Sequence, residues 1–148
     1  MTGQDESTAS ESVSGAPIDF DRLGIIRNRF TTDERFTQVV DQPEFAPERL
    51  VCVYDGRFYP SSVQNARLEL VWFENGDFSL HYHEDHDEGT FDHRWDRHPS
   101  DHNTRDHIHP GPDAPTHGDD TSHPSDWRDV LSMALTEIET RQRAFWEG

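Results

Sequence analysis

Lysine is absent from this 148-residue chain, and cysteine is nearly so. All 13 basic residues are arginine and stand against 30 acidic ones, for a formal net charge of −17. With Cys52 alone, no intrachain disulfide and no cysteine-based zinc site can form. Cys52 lies in an apolar run and reads as a buried core thiol. No stretch approaches the roughly 18 apolar residues of a membrane span. The N-terminus lacks a basic segment followed by an apolar one, so no secretory signal is expected and the cytoplasm is the expected compartment. Hydrophobic residues make up only 31% of the chain, which points to one small domain. Nine Phe and four Trp offset that scarcity, because each buried ring removes a large apolar area from water.

In ordinary salt such an excess of carboxylates strains the compact state by self-repulsion. At about 1 M salt the Debye length falls to about 3 Å and the repulsion is screened. The composition therefore reads as halophilic, an adaptation to a high-salt cytoplasm, ahead of mimicry of nucleic acid. The acidity does not exclude an RNA substrate, since charge steering is weak in brine for any protein.

Residues 1–17 are rich in Ser, Glu, Thr and Gly and read as a disordered acidic tail, with a single domain over residues 18–148. Ile18, Leu23, Ile26 and Phe30 fit one helical stripe, with Asp19 and Asp21 near its positive end. Thr31 and Glu34 have capping-box spacing, which predicts a second short helix burying Phe36, Val39 and Val40 and stopped near Pro43. The centre reads as a β-meander: residues 50–54, Asp55-Gly56, residues 57–59, then residues 67–73 and 78–83 around Asn75-Gly76, and finally residues 91–96. A two-residue turn at Asn75-Gly76 pairs Phe73 with Phe78 and Val71 with Leu80. One face would then carry Val71, Phe73, Phe78, Leu80, Tyr82, Phe91 and Trp95 as the core. The other would set Leu68, Leu70 and Trp72 beside His81, His83, Arg94 and Asp96, as a pocket floor or partner interface. Residues 97–124 form a His-rich loop without periodicity. The chain closes on a helix with Ser125 as N-cap and Trp127, Val130, Leu131, Ala134, Ile138 and Phe145 along one stripe. The fold class is α+β: an antiparallel meander of about four to five strands, with N-terminal helices and a C-terminal helix packed on one face.

All ten histidines lie between His81 and His123. His81 and His83 share a strand face, His107 and His109 would do so if extended, and His98 and His102 only if the loop turns helically. Three chemistries suit the cluster. Neutral imidazoles bind zinc, with His81, His83, His107 and His109 as candidate ligands and Asp96 or Asp101 completing a site. A pair of histidines can instead move protons in RNA cleavage without metal, while Arg94, Arg97 or Arg105 offsets the charge on phosphorus. Or the His and Asp side chains simply knit a polar loop onto the sheet.

Arg94-Trp95-Asp96 is followed by His98-Pro99, His102 and His107-Ile108-His109, then by His123-Pro124-Ser125 and a helix over residues 126–138. This succession resembles the TumE family of toxin components of toxin–antitoxin pairs, over about residues 65–140. Two features depart from the family pattern: Arg97 stands where Asn often follows the Asp, and the loop histidines are separated. The resemblance implies the toxin role and a small antitoxin protein as partner, while the reaction is read from the residues. The expectation is a metal-independent ribonuclease without cofactor, zinc being the alternative. His98, His102, His107 and His109 would contain its acid–base pair, Arg94 and Arg105 would contact phosphate, and Asp96 would orient an imidazole. The antitoxin would cover the face bearing Trp72, Leu70 and the His81/His83 pair. The rival reading is a non-enzymatic interaction protein with a His/Asp-rich polar face.

Overall fold

Thr37, Val39 and Val40 are β-branched and suit a pleated, half-buried surface better than a helix. In the computed structural model, which describes residues 14–43 and 48–147, they lie in strand β1 (Phe36–Gln42). The second N-terminal helix is thus corrected to a strand. Thr31 caps nothing, because its hydroxyl donates back to the Arg27 carbonyl at 2.7 Å within the last turn of helix α1 (Phe20–Thr31).

Six strands follow: β2 (Arg49–Tyr54), β3 (Val63–Trp72), β4 (Phe78–His86), β5 (Gly89–Arg97), β6 (Asp106–His109) and β7 (Asp119–Asp120). Each pairs antiparallel with the next in chain order, giving an open seven-stranded meander in place of four or five strands. Strands β6 and β7 lie inside the stretch expected to be loop. Residues 57–59, expected as a strand, instead follow Asp55 into a single 3-10 turn (Gly56–Phe58), the Asp55 carboxylate accepting from the Arg57 amide at 2.9 Å.

The β3–β4 hairpin is one residue out of the expected register. Gly76, at φ +92°, donates to the Phe73 carbonyl, and the Phe73 amide donates to Asp77, so the loop holds three residues rather than two. Trp72 therefore faces Phe78, Leu70 faces Leu80 and Leu68 faces Tyr82. Because side chains alternate with period two, the slip moves Leu68, Leu70 and Trp72 into the core and sends Val71 and Phe73 to the other face. Leu50, Cys52, Leu68, Leu70, Phe78 and Leu80 are essentially inaccessible, each such burial worth about 1.5–3 kcal/mol for the larger side chains. Burial also pushes the Cys52 thiol far above its ordinary pKa, which makes it inert.

Helix α1 lays Leu23, Ile26 and Phe30 on this core, its N-terminus capped by Asp19. Helix α2 (Trp127–Ala144) adds Val130, Leu131, Ala134 and Ile138, and Asp126 rather than Ser125 is its cap. Both helices share one apolar cluster with the same sheet face. The opposite face carries no helix among the described residues. Residues 14–17 run beside the β3–β4 loop, with Pro17 accepting from the Glu74 amide and Ser14 donating to Asp77 at 2.7 Å. Residues 1–13, which hold most of the expected tail, lie outside the described residues. No helix of the described residues is long and apolar enough to cross a membrane.

Candidate functional site

Arg94, Asp96 and His98 occupy alternate positions along β5 and its extension, so all three project from the helix-free face. Strand β6 brings its own alternate pair to the same face, because Asp96 is opposite His107 and Arg94 is opposite His109. One ladder thus assembles five polar side chains that are separated by up to 15 positions in the chain. His98 continues that ladder beyond β5, its amide donating to the Arg105 carbonyl at 3.0 Å.

Asp96 is the hub and is fully buried. Its Oδ2 lies 3.1 Å from His109 Nε2, 3.2 Å from Arg94 Nη2, 3.5 Å from His98 Nε2 and 3.7 Å from His107 Nε2. The far nitrogen of each ring donates to a backbone carbonyl: His98 Nδ1 to Pro99 at 2.8 Å, His107 Nδ1 to Thr104 at 2.8 Å and His109 Nδ1 to Pro115 at 2.6 Å. The rings of His98 and His107, and of His107 and His109, meet edge-on at 88°. Burial works against ionised Asp96, but His109, His98 and Arg94 outweigh it and hold the carboxyl far below its usual range. Burial also acts to lower His98, yet Asp96 and the Pro99 carbonyl carry it above its ordinary value. Desolvation leaves His107 below its own.

The other expected site residues stand apart. His102 is exposed and packs its ring near His117 at 5.1 Å. Arg105 reaches away to Asp77 at 2.6 Å. Arg97, on the core side, is held by Asp106 and by the carbonyls of His123 and Pro124.

His81 and His83 share the site face with Arg94, His81 being directly opposite it across the β4–β5 ladder. Asp92 Oδ1 accepts from His81 Nε2 at 2.7 Å and from His83 Nδ1 at 2.6 Å, while His83 Nε2 reaches Asp85 at 2.8 Å. Burial opposes the His83 cation, but Asp92 and Asp85 raise its pKa. His81 and Arg94, with Ser79 and Arg49, line a cavity of about 340 Å³. Arg49 is paired with Glu69 at 3.1 Å, which leaves Arg94 as the lining cation that leads to Asp96.

Two residues of the site, Asp92 and Gly118, carry no signal in the sequence, and His123 is legible there only as part of the entry to the last helix. His123 Nε2 lies 3.1 Å from the carbonyls of both Asp96 and His107, tying β5 to β6 from the core side. Asp92 is one of 30 acidic residues and no spacing sets it apart. Gly118 lies against the Ile108 backbone and the His109 ring. Trp72 and Leu70 belong to the buried core under the helices, so the expected antitoxin face is corrected: it cannot join them to the His81/His83 pair on the opposite side.

The family model described as Toxin TumE matches residues 24–142. That span takes in most of both helices, all seven strands and every residue of the site. No curated protein and no solved structure matches the chain.

Proposed function

The chain belongs to the TumE toxin family, and from that premise we propose that it is the toxin of a toxin–antitoxin pair and that it cleaves RNA in the cavity beside Arg94. The observation that supports this reading is the pairing of a half-exposed Asp–His dyad with a cation across one open cavity. Asp92 accepts from His81 Nε2, which leaves Nδ1 as the ring's proton acceptor. His81 takes the 2′-hydroxyl proton as the 2′-oxygen attacks phosphorus. Arg94 offsets the charge gathering on the phosphoryl oxygens. The bond from phosphorus to the 5′-oxygen then breaks, and that oxygen takes a proton from water at the cavity mouth.

Asp96 orients Arg94 rather than touching RNA, and the buried rings of His98, His107 and His109 hold Asp96 in place. The proton transfer expected of the loop histidines thus passes to His81 in this proposal. A cavity of about 340 Å³ falls in the size range of small-ligand sites, enough for one nucleotide unit but not for a folded RNA. A small antitoxin protein would silence the toxin by covering the helix-free face.

Induced expression in a salt-matched host, followed by growth and by total RNA integrity, tests the reading. Wild type is expected to arrest growth and fragment RNA. His81→Ala and Arg94→Ala are expected to do neither, and His81→Ala should keep stability within about 1–2 kcal/mol of wild type, whereas Arg94→Ala strands the buried Asp96 carboxylate at a cost of about 3–5 kcal/mol, so His81→Ala is the variant that reports on chemistry alone. Intact RNA under a folded, expressed wild-type protein would favour the rival, a binding protein whose polar face engages a partner without chemistry.

A further inference from the structure

Among the described residues, two clusters bring three His and Asp donor atoms within reach of one ion: His81, His83 and Asp92, and Asp96, His98 and His107. Their protons separate them. In the first, ring N–H groups already point at the carboxylate, and Asp92 is satisfied by hydrogen bonds alone. In the second, a carbonyl takes the outer proton of every ring. A carbonyl can only accept, so the Nδ1 atoms of His98, His107 and His109 carry hydrogen, and the inward Nε2 of each ring is filled either by a second proton, which makes the ring a cation, or by a metal ion. Those nitrogens converge on one carboxylate oxygen. Any of them without a proton is an acceptor aimed at an acceptor, which is costly in a dry site unless a cation stands between them. Arg94 reaches the group at only one oxygen, and both His98 Nε2 and Asp96 Oδ1 are buried without a hydrogen-bond partner.

We infer that Asp96, His98 and His107 bind one divalent transition-metal ion of the zinc class. Two imidazole nitrogens and one carboxylate oxygen are a donor set suited to Zn²⁺, three of the four positions of its tetrahedral shell. Donors about 2.05 Å from a tetrahedral ion stand about 3.3 Å from one another. The Oδ2–Nε2 separations to His98 and His107, 3.5 and 3.7 Å, lie just above that value. A carbonyl behind each ring supplies the outer shell that fixes the tautomer and aims the ligand. With no thiolate in the set, nitrogen and oxygen donors favour Zn²⁺, Co²⁺ or Ni²⁺ over Cu⁺. The ion is a clasp: it joins β5, β6 and the His98 end of the connection between them beneath Arg94.

The site goes beyond the ribonuclease reading and stands whether or not RNA is cleaved. The test is a titration of chelator-stripped, untagged full-length protein in molar KCl with Co²⁺ alone, followed by visible absorption and by circular dichroism. One equivalent with the intense visible bands of tetrahedral Co²⁺ is expected, displaced by one equivalent of Zn²⁺. His83→Ala, which breaks the first cluster, should bind as wild type does. His107→Ala should weaken binding by more than about 100-fold. Folded wild-type protein without those bands overturns the inference, as does binding lost in His83→Ala and kept in His107→Ala. The wild-type titration decides even if His107→Ala fails to fold. Because it reads no growth or RNA, failure of the ribonuclease reading leaves a bound ion standing, and an absent ion leaves the growth assay standing.

Discussion

At the scale of single residues, Gly118 shows how closely the loop is drawn onto the site. A Cβ there would lie 2.1 Å from the Ile108 carbonyl oxygen and 3.0 Å from His109 Nδ1. The Asn103 side chain holds the same residue from outside, donating to the Gly118 carbonyl at 2.8 Å and accepting from its amide at 3.2 Å. Gly118→Ala must therefore push β7 off β6 or tilt the His109 ring. Overpacking of that kind costs about 1–3 kcal/mol. Gly15 has nothing within 4 Å of where its Cβ would be, so Gly15→Ala is the matched control and should stay within about 0.5 kcal/mol of wild type. Equal melting curves for the two variants would mean that β7 does not pack on β6 as described. The residue types of the cluster were legible beforehand, since Arg94, Asp96, His98, His107 and His109 were all singled out. Which partners they face was not: Gly118 and His123 act through contacts with residues 9 to 27 positions away, and no local pattern encodes them.

Between elements, one buried ion pair fastens α2 to the sheet. Glu84 is inaccessible, yet it faces the core side of β4, where Arg141 grips both its oxygens at 2.7 Å and Tyr82 and His86 also bond to it. The Arg141 guanidinium lies over the Phe91 ring at 3.5 Å. Arg141→Ala would strand the carboxylate without its cation, at a cost of about 3–5 kcal/mol, read as a large fall in the melting temperature. Burial raises the Glu84 pKa, but Arg141, Tyr82 and His86 outweigh it and hold the carboxyl below its usual range. A depressed folded pKa gives stability that is present above the unfolded value of about 4.3 and is lost as pH falls through the folded value. The gap in melting temperature between wild type and Glu84→Gln should therefore be widest near pH 7 and narrow below about pH 4. A gap that does not change with pH would show that Glu84 titrates alike in the folded and unfolded chain. Elements with long periodic signals, α1, α2 and β2 to β5, were legible in the sequence. Three features were hidden by physics rather than by chance. β1 offers valines at a spacing that suits helix and strand alike. β6 is only four residues long, too short for a pattern. The β3–β4 register turned on whether Asn75-Gly76 closes a loop of two residues or three, and that one residue exchanged the two faces.

For the whole molecule, the net charge of −17 is the quantity to test. Thirteen arginines cannot neutralise 30 carboxylates, and even arginines with acidic neighbours, such as Arg35 between Asp33 and Glu139, lie in pairs that are partly exposed and screened by salt. The proposed RNA site tolerates brine for the same reason that it is small. Each phosphate neutralised on a single strand lowers log K by about 0.7 per decade of salt, so the single cation Arg94 forfeits only about fivefold in affinity for a tenfold rise in salt. The fold itself should gain. Raising KCl from about 0.1 M to about 1 M shortens the Debye length from about 10 Å to about 3 Å. The melting temperature should climb steeply over that interval and then level off, because repulsion once screened cannot be screened again. Salting-out of apolar surface behaves differently, since it strengthens burial in proportion to salt and is larger for sulfate than for chloride. A plateau near 1 M that is the same for KCl and for K₂SO₄ at matched ionic strength assigns the effect to the net charge of −17. A rise that stays linear and favours sulfate assigns it to the small aromatic core, and a flat curve removes the halophilic reading of the composition.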